Sequence, residues 1–111
     1  MPWIKINQDD ALPPFVEVQI PDQPTEWLHT VYDLIGCRTI EVAQTVLPGI
    51  VLVIDEEGKC FDGWHTRINT IASRIHANPY DPIVGDAILA RIQGEDLVPL
   101  TQDDLRRLQI S

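Results

Sequence analysis

Ile50-Val51-Leu52-Val53-Ile54-Asp55-Glu56-Glu57-Gly58 is the stretch that decides the fold. Five uninterrupted aliphatics are long enough for a central strand buried on both faces, and the acidic turn at Glu57-Gly58 ends it. Pro48-Gly49 marks a turn just before it. Upstream of that turn, Thr39 to Val46 alternates, with Ile40, Val42 and Val46 on one side and Glu41, Ala43 and Thr45 on the other. The economical reading is a pair of adjacent antiparallel strands.

Moving outward, Ile68, Ile71, Ala72 and Ile75 recur at helical spacing and Asn78-Pro79 closes that helix, with either Thr66 or Asn69 as its cap. Ile83 to Ile92 reads as a strand with Val84, Ile88, Ala90 and Ile92 on one face, broken by Gly94. Thr101 and Asp104 form an acidic variant of a capping box for a short helix carrying Leu105 and Leu108. On the N-terminal side, Phe15 to Ile20 alternates and stops at Pro21 and Pro24. Thr25 then caps a helix whose apolar face is Trp27, Leu28, Val31, Leu34 and Ile35, with Gly36 as terminator. Residues 1–14, with three prolines and little periodicity, read as an irregular arm or a short edge strand. The expected architecture is an α+β single domain over residues 15–111, with a mostly antiparallel sheet of about four strands and two or three helices packed on one face.

The chain has 111 residues, 44% of them hydrophobic, which suits one domain with a core of its own. A formal charge of -9 argues against duplex nucleic acid and anionic membrane as partners, since both are polyanions. No stretch approaches the roughly 20 apolar residues of a membrane span, and the N-terminus lacks the sections of a secretion signal, so a soluble, intracellular protein is expected. Cys37 and Cys60 have no second pair at metal-ligand spacing and are expected as reduced, partly buried thiols.

Three short motifs carry a resemblance: Val53-Ile54-Asp55-Glu56-Glu57-Gly58, Asn69-Thr70-Ile71-Ala72, and Ile83-Val84-Gly85-Asp86-Ala87. Together they resemble an uncharacterised family, a domain of unknown function found in bacteriophages and mobile elements, over roughly Gly36 to Arg91. The resemblance carries no reaction and no catalytic residue. What it implies is a small accessory protein of a phage or mobile element, located in the cytoplasm of the bacterial host and of the kind that acts against host defence.

Asp55, Glu56, Glu57 and Asp62 do not match a calcium loop and read as a charged turn, so no metal and no cofactor is expected. Gly63 to Tyr80 stands out differently: none of the chain's 17 acids falls in these 18 residues, which carry Trp64, His65, Arg67, Arg74, His76 and Tyr80. If the helix starts at Thr66, Arg67, Thr70 and Arg74 share an exposed stripe near a helix N-terminus, where anions are favoured. Trp64 then stacks, Arg67 and Arg74 hold phosphate, Asn69 and Thr70 supply hydrogen bonds, and His65 completes the ligand-binding set. The competing reading pairs both arginines with acids elsewhere and puts Trp64 in the core or a dimer contact. Trp27 reads as core, while Trp3 packs back onto its own domain or onto a neighbouring subunit.

The leading expectation is a non-enzymatic protein that binds and sequesters a small anionic ligand, a nucleotide immune signal, at a subunit interface of a homo-oligomer. The alternative is an acidic protein-interaction module that inhibits a host protein or mimics nucleic acid. An enzyme reading rests only on Cys60 with His65 and on the carboxylates.

Overall fold

Ile50–Asp55 forms strand β4, and its first five residues are buried, as an uninterrupted aliphatic run on an internal strand requires. The structure is a computed structural model and describes residues 2–109. The chain order is β1 (Trp3–Ile6), β2 (Phe15–Val18), α1 (Pro24–Ile35), β3 (Ile40–Gln44), β4, a 3-10 helix (Trp64–Arg67) and α2 (Thr70–Ile75). Then follow β5 (Ala87–Gln93), β6 (Asp96–Val98) and α3 (Gln102–Arg107).

All pairings between these strands are antiparallel, and the sheet runs β2-β1-β5-β4-β3 with β6 also on β5. β1 pairs Ala87 to Leu89 and β6 pairs Arg91 to Gln93, so the two lie end to end along one side of β5. The Leu100 amide donates to the Pro2 carbonyl at 2.8 Å and ties the two segments together.

Alternating residues of the internal strands feed two separate cores. Ile4, Ile6, Ile50, Leu52, Ile54 and Leu89 pack with residues of α2 and α3 on one face, while Val51, Val53, Ile88 and Ala90 pack with α1 on the other. Each fully buried aliphatic contributes roughly 1.5–3 kcal/mol, and the buried positions Ile50 to Ile54 of β4 and Ala87 to Ala90 of β5 are all apolar. α1 covers its face because it carries the chain from edge strand β2 to the opposite edge, β3.

Several expectations are corrected. The sheet has six strands rather than about four, and its helices cover both faces rather than one, because an element buried on two sides needs a layer against each. Trp3–Ile6 is neither irregular nor an edge; it is β1, paired on both sides. Thr25 is not the cap of α1, which starts at Pro24 after Gln23 with no side-chain capping bond. Proline supplies the fixed backbone angle there and has no N–H to satisfy. Gly36 terminates α1 at φ 77°, its amide bonded to the Tyr32 carbonyl. Along β3 and the two residues after it, Ala43 and Thr45 are buried, whereas Val42 and Val46 are 43% and 61% exposed at the sheet's edge.

Candidate functional site

The 3-10 helix and the start of α2 lie at the end of the sheet where β1 ends, β4 ends and β5 begins, whereas the end of α2 reaches the end of β3, where the Val46 amide donates to the Ile75 carbonyl and the Ala77 amide to the Gln44 carbonyl. Local chemistry explains how. Asp55 Oδ1 accepts from the Glu57 amide at 2.8 Å and folds the acidic turn back on β4. That turn brings Gly58 against Val84, where any side chain on Gly58 would lie 3.4 Å from the valine Cβ.

Asn69 is the centre of the arrangement. Its Oδ1 accepts from the Ala72 amide at 3.1 Å, which makes it the cap of α2, and its Nδ2 donates to the carbonyls of Ile6 and Gly85 at 3.1 and 3.0 Å. Gly85 adopts φ 81°, a region glycine enters without strain, and its amide donates to the Arg67 carbonyl. Asp86 then accepts from the Gln8 amide at 2.8 Å and lies 3.3 Å from Lys5 Nζ. The acidic turn, the Asn69 cap and the Gly85-Asp86 turn thus lock to one another and to the end of β1.

The six residues expected to bind a ligand divide accordingly. Trp64, His65 and Arg67 share the 3-10 helix; Trp64 is half-buried, its ring centroid 6.0 Å from that of His65 and 5.8 Å from Lys59 Nζ. Arg67 is exposed, with Nη2 3.5 Å from where a side chain on Gly85 would begin. Thr70 opens α2 against the loop after β1, and Arg74 is exposed on α2. Asn69 is only 1% exposed and its side chain is fully committed to backbone partners. Because α2 begins at Thr70 rather than Thr66, Arg67 does not share a helical stripe with Thr70 and Arg74.

Charge pairing distinguishes two of these residues from all other bases. Of the eight lysines and arginines, Lys5, Arg38, Lys59, Arg91, Arg106 and Arg107 each lie in an ion pair. Arg67 and Arg74 have no acidic partner among the described residues. The same loop cluster exposes Phe61, and Tyr80 is 93% exposed beside Asp81, the partner of Lys59. His76 is buried instead, its Nδ1 2.8 Å from the Asp81 carbonyl oxygen.

No single-chain cavity encloses Arg67 or Arg74 among the cavities found. The cavity that Asn69 and Thr70 line, of about 200 Å³, also carries Asp9 and Asp10, and so disfavours an anion. Cys60 is exposed rather than partly buried, and no hydrogen bond joins it to His65 among the described residues. No three His, Cys, Asp or Glu side chains gather at metal-ligand spacing among those residues either.

The structure decides between the two readings of Trp3 and adds an ion pair that the sequence did not show. Trp3 is 6% exposed and its ring centroid lies 6.0 Å from that of Trp27, so it packs onto its own domain. Asp104, expected as a cap, also binds Arg91 through both oxygens at 2.8 and 2.5 Å while fully buried. The Arg91 hydrogen bonds outweigh burial and, with the Thr101 amide and hydroxyl, lower the Asp104 carboxyl from 3.8 to about 2. An isolated arginine at the end of a strand pattern gave no sign of this pairing.

The geometry defines a small α+β domain built on an antiparallel sheet, with a hydrogen-bonded loop cluster at one end, Arg67 beside that cluster and Arg74 farther along α2, neither with an acidic partner among the described residues. The chain belongs to the family described as Domain of unknown function (DUF3846), whose pattern matches residues 4–110. No curated protein and no solved structure is significantly similar to it. No helix among the described residues is long and apolar enough to cross a membrane.

Proposed function

We propose that this domain is a non-enzymatic accessory protein of a phage or mobile element that binds a small anionic ligand, a nucleotide signal, and withholds it from a host defence effector. The observation that carries the reading is the ion pairing: on a chain of charge -9, six of the eight lysines and arginines are matched to acids, and among the described residues Arg67 and Arg74 have no acidic partner. Guanidinium groups recognise phosphate through paired N–H donors, and a guanidinium with no internal carboxylate loses no ion pair on binding. Trp64, Phe61 and Tyr80 in the neighbouring loops offer faces for a base. Asn69 drops out of the ligand set because its amide holds the loops together. We place the ligand between two copies of the chain, where a small domain can enclose it.

Titration calorimetry against cyclic and linear nucleotides tests this. At least one nucleotide binds, and Arg67→Ala or Arg74→Ala weakens it about tenfold or more, the loss expected for a charge-assisted phosphate contact. Absence of heat across the whole panel, or full affinity in both variants, overturns the reading.

A further inference from the structure

A second cavity lies at the opposite end of the sheet from the Asn69 cap and on the opposite face, between the start of α1 and the β5–β6 turn. It measures about 550 Å³, with Trp3, Trp27 and Leu97 among its apolar lining and the carboxylates of Asp22, Glu95 and Asp96 around it. No lysine or arginine lines it. None of the three carboxylates joins an ion pair among the described residues. Trp27 Nε1 is buried with no acceptor, the one such side-chain atom among those residues.

We infer that this cavity is a docking site for an arginine side chain presented by a peptide segment of a partner protein. Trp27 is half-buried, lines the cavity and is backed by the buried Trp3 at 6.0 Å, so it presents its indole to a flat cation, and a guanidinium both stacks on aromatic rings and donates in a fork to carboxylates. An ammonium is a more strongly hydrated point charge and fits this combination less well. Free arginine brings a carboxylate of its own, which Asp22, Glu95 and Asp96 repel; a peptide bond in its place removes that charge. The same three acids exclude nucleotides, so this site is separate from the Arg67 and Arg74 surface and does not depend on it.

Nuclear magnetic resonance of the full chain tests the inference, because the three tryptophans of the sequence give separable indole N–H signals. A blocked Gly-Arg-Gly peptide shifts the Trp27 signal saturably. Its norleucine analogue binds about tenfold more weakly, as does the arginine peptide with the Glu95→Gln/Asp96→Asn variant, because both lose the charge-assisted contact. The Asp9→Asn/Asp10→Asn variant removes the same charge at the other end of the sheet and leaves affinity unchanged. Equal binding of the norleucine peptide, or equal weakening by the control variant, overturns the site. So does a Trp27 shift produced by raising protein concentration alone, which makes a second copy the occupant.

Discussion

Residues of one chemical type meet different fates in this chain, and the two cysteines show it directly. Burial pushes the Cys37 thiol up to about 11, helped by the nearby Asp55 carboxylate, whereas Cys60 is exposed. At pH 8 only roughly one Cys37 in a thousand is the reactive thiolate. Iodoacetamide at that pH therefore labels Cys60 first, and a Cys60→Ser variant stays unlabelled until denaturant is added; mass spectrometry of the adduct reads the outcome. Asn69 makes the same point about the candidate surface. In sequence it stands between Arg67 and Arg74 as one more polar residue, yet three backbone groups depend on its amide. Asn69→Ala removes the cap and leaves two buried carbonyls short of a donor, a cost of about 3 kcal/mol in urea unfolding. Arg67→Ala, with no ion pair to break, stays within about 0.5 kcal/mol.

At the scale of elements, α3 is six residues long and depends on two attachments: its capping box and the Arg91–Asp104 pair to β5. The folded carboxyl of Asp104 lies below its ordinary value, so the pair contributes stability that is fully present above about pH 4 and is lost as pH falls through about 2. Urea midpoints measured from pH 5 to pH 2 decline more steeply for the parent chain than for Asp104→Asn, which has no proton to take up at this position. At pH 7 that variant is less stable by about 2–3 kcal/mol, since the buried position loses its charge-assisted bonds while Arg91 keeps partial access to water. Elements with strong local periodicity or a clear cap were legible from sequence: α1 by its apolar face, α3 by its capping box, and β3 and β4 as an adjacent antiparallel pair. β6 was not, because three residues, Asp96-Leu97-Val98, cannot display a period. The start of α2 was ambiguous because Thr66 and Asn69 can both cap, and only the tertiary partners Ile6 and Gly85 select Asn69. The unpaired state of Arg67 and Arg74 was equally invisible, since ion pairing is decided by which acids the fold brings near.

Over the whole molecule, the helix layers and the place of the N-terminal strand are set by contacts between residues far apart in the chain. Trp3-Ile4-Lys5-Ile6 is too short to show a convincing alternation, and flanking proline and polar residues make it resemble an arm. Its membership of the sheet comes from β5, more than 80 positions away, through the pairs Ile4–Leu89 and Ile6–Ala87. The consequence is testable by comparing two substitutions that look similar in sequence. Ile6→Ala empties a fully buried position on an internal strand and costs about 3 kcal/mol or more, by lost transfer energy and the cavity left behind. Val42→Ala, on edge strand β3 where the side chain is 43% exposed, costs less than about 1 kcal/mol. Hydrogen exchange should follow the same division: amides of β5, enclosed by β4 on one side and by β1 and β6 on the other, exchange most slowly, ahead of those in β2 and β3. Were the first residues an arm laid on a finished domain, Ile6→Ala would be as mild as Val42→Ala and would leave exchange in β5 untouched. A loss of protection running from Ala87 to Leu89 in the Ile6 variant, with β3 no faster than in the parent chain, identifies β1 as part of the central sheet in solution.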